Sequence, residues 1–173
     1  MKTILYEQQI ALTVKRLAHQ IVENNQGLNN TVIIGLQPRG IFLSDRIVVE
    51  LKQIVPHQHI KYGKLDITFY RDDVRKALHI ANATEIPFSI EGKTVVLIDD
   101  VLYTGRTIRA ALDALLDFGR PSKVSLCVLI DRRFSRELPI QPDFSGKAID
   151  TIVSDKVKVN WSETGLKDEV VIV

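Results

Sequence analysis

The stretch from Val95 to Thr107, Val-Val-Leu-Ile-Asp-Asp-Val-Leu-Tyr-Thr-Gly-Arg-Thr, constrains the fold more than any other part of the chain. Its four leading apolar residues read as a strand covered on both faces, the pattern of a parallel sheet. Asp99 and Asp100 stand where that strand reaches its carboxyl end, and a small, hydroxyl-rich turn follows at once. From Thr107 the period becomes helical, with Ile108, Ala111, Leu112, Leu115 and Leu116 on one face. A buried strand, an acidic pair, a tight loop and a helix in that order describe one unit of an α/β fold, in which helices flank a central, mostly parallel sheet.

The backbone N–H groups of Thr104 to Thr107 point outward at a helix start, where unpaired donors and the positive dipole end favour a phosphate dianion. Thr104 and Thr107 add hydroxyl donors, and Gly105 allows close approach or a positive φ. Asp99 and Asp100 do not suit a second anion. They suit ribose hydroxyls, a divalent metal held largely through water, or a cationic centre developing on a sugar. Phosphate at one end and carboxylates beside it together predict a ribose 5-phosphate. The bland alternative is a strand-to-helix turn with a capping Thr and solvated acids.

The chain has 173 residues, enough for one domain with a real core and no disulfides. Lys and Arg total 23 against 21 Asp and Glu, so overall charge does not announce nucleic acid and any basic surface must be local. Cys127, the single cysteine, sits in the apolar run Val124 to Ile130 and reads as a reduced structural thiol rather than a nucleophile. No apolar run approaches the ~18 residues that a bilayer span needs, and Met1-Lys2 is not followed by a signal-peptide core; a cytoplasmic protein with no membrane partner is expected.

Upstream, Ile10, Val14, Leu17, Ala18, Ile21 and Val22 mark one face of a helix over about Glu7 to Asn25, with Gly27 as its stop. Lys15, Arg16, His19 and Gln20 lie off that stripe, on a face that is either solvated or a nucleic-acid surface. Thr31 to Leu36 predicts a second buried strand, and Gln37-Pro38-Arg39-Gly40 turns into a helix with Ile41, Leu43, Ile47, Val48 and Leu51 inward. Ligands gather outside the carboxyl ends of such strands, so this turn belongs near the acidic pair.

Leu65, Ile67 and Phe69 alternate with Lys64, Asp66 and Thr68 as a strand does. Tyr70-Arg71-Asp72-Asp73 opens a polar, weakly patterned segment to about Ser89, the kind of stretch that serves as a lid. Arg71 either reaches the site or pairs with Asp72 on the surface. Gly119 and Pro121 stop the central helix, Lys123 to Ile130 forms the next strand, and Asp131-Arg132-Arg133 stands at its carboxyl end. Beyond Leu138, Pro139, Pro142 and Gly146 break up short β-like pieces at Ala148 to Val153, Lys156 to Trp161 and Val170 to Val173. These predict a small β subdomain, formed mainly by residues 139–173, laid across the strand ends. Trp161, the only Trp, either stacks on a flat base or fills that subdomain's own core.

The Asp-Asp pair ending a hydrophobic strand and followed by Thr104-Gly105-Arg106-Thr107 resembles the signature of the type I phosphoribosyltransferases, which bind 5-phosphoribosyl 1-diphosphate (PRPP). Over nearly the whole chain the resemblance narrows to the PyrR family, bacterial pyrimidine operon regulators that are also uracil phosphoribosyltransferases. It is carried by Arg16-Leu17-Ala18-His19, Asp66 to Asp73, Asp99 to Thr107, Gly119-Arg120-Pro121-Ser122 and Arg136-Glu137-Leu138-Pro139-Ile140.

The resemblance implies a type I phosphoribosyltransferase fold in one domain, residues 1–173, with the C-terminal subdomain as its hood. It implies conversion of uracil and PRPP to UMP and pyrophosphate, with Asp99, Asp100, Arg39 and Arg71 in catalysis. Arg39, Gly40, Tyr103, Thr104, Gly105, Arg106 and Thr107 would hold PRPP, and Val159, Trp161, Asp131 and Arg132 would meet the base. Mg²⁺ would lie near Asp99 and Asp100, held mainly by substrate oxygens and water. A homodimer or tetramer is implied, as is UMP- or UTP-dependent binding of a leader mRNA hairpin through Arg16, His19, Arg136 and Lys147.

The chain departs from the family pattern at several positions. Pro38 replaces the small or hydroxylic residue usual before the turn's Arg. Lys15 replaces a hydroxylic residue, Asn24 and Gln141 stand where basic side chains are usual, and Arg132 to Arg136 differs in length and composition. Each lost phosphate contact weakens RNA binding through counterion release. A regulator with vestigial catalysis and a hypoxanthine or guanine phosphoribosyltransferase are the competing readings.

Overall fold

The computed structural model describes residues 1–71 and 83–173. In chain order its elements are β1 (Lys2–Tyr6), α1 (Glu7–Asn24), β2 (Thr31–Leu36), α2 (Gly40–Ile54), β3 (Lys61–Leu65), β4 (Thr94–Leu102), α3 (Arg106–Leu115), β5 (Lys123–Arg133), β6 (Phe144–Asp150), β7 (Val157–Asn160) and β8 (Glu169–Ile172). Five strands pair in parallel in the order β3-β2-β4-β5-β6. β4 lies at the centre and is covered on both faces, which is why its sequence shows an unbroken apolar run. Val96 and Ile98 pack in one layer with Ile10, Leu17, Leu43 and Ile47 of α1 and α2. Val95 and Leu97 pack in the other with Ile108, Ala111 and Leu115 of α3.

The two upstream elements, α1 and β2, fall where the apolar spacing puts them. Four others differ. β4 continues to Leu102 and β5 to Arg133, so Asp99, Asp100, Asp131 and Arg132 lie inside the ladder rather than beyond it. β3 ends at Leu65, because its partner β2 ends at Leu36, and Thr68–Tyr70 turn as a 3₁₀ helix that leaves Phe69 exposed. On α3, Leu112 and Leu116 are exposed: the buried stripe runs through Ile108, Ala110, Ala111, Ala114 and Leu115, whose small alanines seat the helix close to the sheet.

The hood is also differently composed. Phe144–Asp150, expected in the C-terminal subdomain, completes the main sheet by pairing in parallel with β5. The separate three-stranded antiparallel sheet has the order β1-β8-β7, so its third strand comes from the start of the chain, Lys2 opposite Ile172 and Tyr6 opposite Glu169. The expected lid from Tyr70 to about Ser89 falls largely on residues 72–82, outside the described residues. Its described far end returns to β3, where Glu85 and Lys64 exchange backbone hydrogen bonds. Among the described residues no helix is long and apolar enough to cross a membrane.

Candidate functional site

The carboxyl ends of β2 and β4 lie side by side, and the turns that leave them build the site. The first turn, with a cis Gln37–Pro38 bond, delivers Arg39 and then Gly40 at the start of α2. A Cβ on Gly40 would stand 2.7 Å from the Ile98 carbonyl and 3.0 Å from Asp99 Oδ1, so only glycine lets α2 begin this close to the acidic pair. Arg39 Nε lies 3.1 Å from Asp100 Oδ2, and its Nη2 donates to the Val159 carbonyl of β7 at 3.0 Å.

The acids are not solvated. Asp99 is 8% and Asp100 6% exposed, and the Asp100 N–H donates to Asp99 Oδ1 at 2.9 Å. Arg39 meets Asp100 Oδ2 at ion-pair distance but off the axis of a hydrogen bond, which leaves that buried oxygen without a hydrogen-bond partner among the described residues. Burial pushes the Asp99 carboxyl well above its ordinary range, and the adjacent Asp100 charge pushes it further. Burial raises Asp100 as well, against the opposing pull of Arg39. Two buried carboxyls with one poorly aligned cation between them favour the arrival of hydroxyl donors or additional positive charge.

The second turn follows β4. Gly105 takes φ +93° as the N-cap of α3, Thr104 Oγ1 accepts from the Arg106 N–H at 3.3 Å, and the α3 N-terminus opens outward behind them. A brace holds this loop from outside. The N–H groups of Glu137 and Leu138 donate to the Thr104 carbonyl at 3.0 and 3.1 Å, and Arg106 pairs with Glu137 at 2.6 Å. Arg136 donates to the carbonyls of Tyr103 and Ile140, both at 2.7 Å, and to that of Arg132 at 2.9 Å, and it also pairs with Asp131. Arg132, 5% exposed, lies 3.9 Å over the Tyr103 ring and donates to Thr151 Oγ1 and to the Ile152 and Asp155 carbonyls.

Two adjoining clefts result, of about 220 and 300 Å³. The first is lined by Gln37, Pro38, Arg39, Asp66, Asp99 and Asp100, the second by Tyr103 to Ile108, and Arg71, Asp99, Val101 and Thr107 border both. Together they give room for a sugar phosphate with a further group at each end. Asp66, Ile67 and Thr68 had no assigned role; the rule that ligands collect beyond strand ends, applied to β3, would have marked them.

Among the described residues no three His, Cys, Asp or Glu side chains gather to hold a metal. Asp99 and Asp100, one with an unpartnered buried oxygen, fit a divalent ion bound mainly by substrate oxygens and water, and do not form a resident metal centre.

Several expected contacts lie elsewhere. Trp161 is 1% exposed, packed against Phe42 and under the Arg46 guanidinium, so it fills the core and does not offer its ring to a base. The Val159 side chain is buried and only its main chain reaches Arg39. Asp131 and Arg132 are buried and committed to Arg136, Tyr103 and the 151–155 turn. Of the four residues expected to meet RNA, Arg136 is spent bracing the loop, and Arg16 donates to the Ser145 and Gly146 carbonyls at 3.3 and 2.6 Å. His19 and Lys147 are exposed, Lys147 reaching the Ile4 carbonyl at 3.3 Å. Those four do not form one free basic patch, because backbone carbonyls claim both of the guanidinium groups.

This fold, with an acidic pair near the end of its central strand and a tight turn into a helix after it, belongs to the phosphoribosyl transferase domain family, whose model matches residues 1–168. Within that class the chain belongs to the PyrR family: it is 44% identical over 173 residues to the Bifunctional protein PyrR of Bacillus cereus (strain AH820), covering 98% of this chain and 95% of that one. It is 46% identical over 171 residues to the Bifunctional protein PyrR of Brevibacillus brevis, with 98% and 94% covered. Among solved structures it is similar to the hypoxanthine phosphoribosyltransferase of Trypanosoma cruzi, with a TM-score of 0.75 at 18% identity over 99% of this chain and 95% of that one. A hypoxanthine-guanine phosphoribosyltransferase from Bacillus anthracis gives 0.66 at 20% identity over 86% and 82%. Identities this low speak for the fold alone.

Proposed function

We propose that the chain, one phosphoribosyltransferase domain over residues 1–173, is a uracil phosphoribosyltransferase of the PyrR type that joins uracil to PRPP and releases pyrophosphate. The observation that carries this reading is the convergence of the α3 N-terminus, the under-partnered Asp99–Asp100 pair and Arg39 on two adjoining clefts. Backbone N–H groups and hydroxyls of Thr104 to Thr107 bind the 5-phosphate. Asp99 and Asp100 face the ribose hydroxyls and the positive charge that grows on C1′ and O4′. Arg39 and Arg71 neutralise the leaving group.

In the step itself the C1′–oxygen bond breaks with its electron pair on pyrophosphate. N1 of uracil supplies the pair for the new bond, and the N1 proton is released. Positioning and electrostatics carry the rate, and no covalent intermediate with the protein is needed. Mg²⁺, when bound, neutralises pyrophosphate charge and would be held near Asp99 and Asp100 by substrate oxygens and water.

Purified protein given uracil, PRPP and Mg²⁺ releases pyrophosphate and forms UMP on this reading. Preference for hypoxanthine or guanine in the same base panel would overturn it. The regulatory activity of PyrR proteins is our second assignment, supported by the full-length identity to relatives named bifunctional. It predicts UMP-dependent, salt-sensitive binding of a leader RNA hairpin by a homodimer or tetramer, and equal binding of unrelated hairpins would remove it.

A further inference from the structure

Arg46 lies on α2, six residues past Gly40, and takes no part in the site described above. Its guanidinium nonetheless carries the densest set of polar contacts in the hood. Nε donates to Glu163 Oε1 at 2.9 Å and Nη1 to Asp168 Oδ2 at 2.6 Å. Nη2 meets Ser162 Oγ, Glu163 Oε2 and Asp168 Oδ1 at 3.1, 2.7 and 2.9 Å. The same group lies 4.7 Å over the Trp161 ring.

Trp161 follows β7 directly, and among the described residues its buried Nε1 has no hydrogen-bond partner. The ring is therefore fixed by packing on Phe42, at 6.3 Å between centroids, and by stacking under Arg46. β7 is an edge strand of the hood sheet, and its Val159 carbonyl accepts from Arg39 beside Asp100. One short piece of chain, Arg39 to Arg46, thus holds the carboxyl end of β7 through Arg39 and the turn that follows it through Arg46.

We propose that Arg46 is a positioning residue: it latches the turn after β7 to α2, and so fixes the distance between the β7 edge and the acidic pair. This rests on the transferase reading for its catalytic consequence, which falls on Arg39 and the leaving group that it faces and not on the 5-phosphate, because the phosphate loop is braced separately by Arg136 and Glu137. The latch is charged on both sides across the neutral range. Hydrogen bonds from Arg46 hold the Glu163 and Asp168 carboxyls below their ordinary values.

Two measurements on the full chain test it. In Arg46→Ala, KM for PRPP rises about tenfold while KM for uracil stays within about twofold, because displacement of a positioned edge acts on the group it aligns, here Arg39. Arg46→Lys recovers only part of the loss, since an ammonium cannot fork across two carboxylates. In the same variant, without any substrate, backbone amides of residues 157–161 exchange faster with deuterium while those of 94–107 do not change, and emission of the single Trp shifts to the red. Unchanged exchange in 157–161, or equal rises in both KM values, overturns the proposal. Wild-type protein inactive on uracil would remove the transferase reading alone, since the exchange result still decides whether Arg46 holds β7.

Discussion

The chain contains the same three groups twice, an arginine and two carboxylates, and uses them in opposite ways. Around Arg46, Glu163 and Asp168, five hydrogen bonds satisfy the guanidinium, the acids keep contact with water, and both carboxyls sit below their ordinary values. Around Arg39, Asp99 and Asp100, the guanidinium meets Asp100 off the hydrogen-bond axis, both acids are buried, and both carboxyls sit above their ordinary values. A satisfied cluster holds two parts of a fold together. An unsatisfied one stores unfavourable burial that a ligand relieves, and such sites are where shifted pKa values collect.

The largest expected effect is on catalysis. Asp100→Asn keeps the shape of the β4 end but removes the charge facing the sugar, and pyrophosphate release should fall on the order of 10²- to 10³-fold, the loss typical of one preorganised electrostatic partner. A continuous pyrophosphate assay checks it, and a fall of only twofold would make the two clusters equivalent. Gly40→Ala is next. Its Cβ would meet the Ile98 carbonyl at 2.7 Å, a backbone atom that cannot step aside, so denaturant unfolding should show a loss of about 1–3 kcal/mol.

How far these features could be read without coordinates depended on the range of the interactions. Val95 to Ile98 was legible because burial on both faces leaves a continuous apolar run, and Thr104 to Thr107 because loop and helix start are neighbours in the chain. Arg46 was not, since its partners lie 117 and 122 positions away and nothing local distinguishes it from a solvated arginine. Arg136 was read as an RNA contact for the same reason: the carbonyl of Tyr103 that claims it is 33 residues distant. β1 escaped because five residues with one buried side chain carry little period, and only pairing with β8 makes them a strand. The burial of the acids was hidden too, because two adjacent Asp at a strand end look equally good in water.

The third expectation separates the clusters by proton linkage. Asp99 has a raised carboxyl in the folded chain, so above its ordinary value of 3.8 the folded state binds more protons than the unfolded one. Stability of the ligand-free protein therefore declines as pH climbs from that value through the raised one. Thermal unfolding followed across that window should show the decline, and Asp99→Asn should flatten it while making the protein more stable at pH 8. A steeper decline in the variant would place the linked group elsewhere.

The smallest effect belongs to the satisfied cluster and has the opposite sign. Glu163 is 41% exposed at its side chain, so water screens it and Glu163→Gln should cost about 0.5 kcal/mol at neutral pH, less in high salt. Its carboxyl is lowered from 4.5 in the folded chain, chiefly by the Arg46 hydrogen bond. The contribution is then fully present above 4.5 and disappears as pH falls through the lower folded value. Wild type and Glu163→Gln should accordingly converge below the lowered value and differ at pH 7 with the wild type the more stable, whereas in the Asp99 comparison the variant is the more stable at high pH. If the wild type were the more stable member of both pairs at high pH, Arg46 and Arg39 would be holding their acids in the same way. The distinction between a latch and a binding site would then have to come from geometry alone.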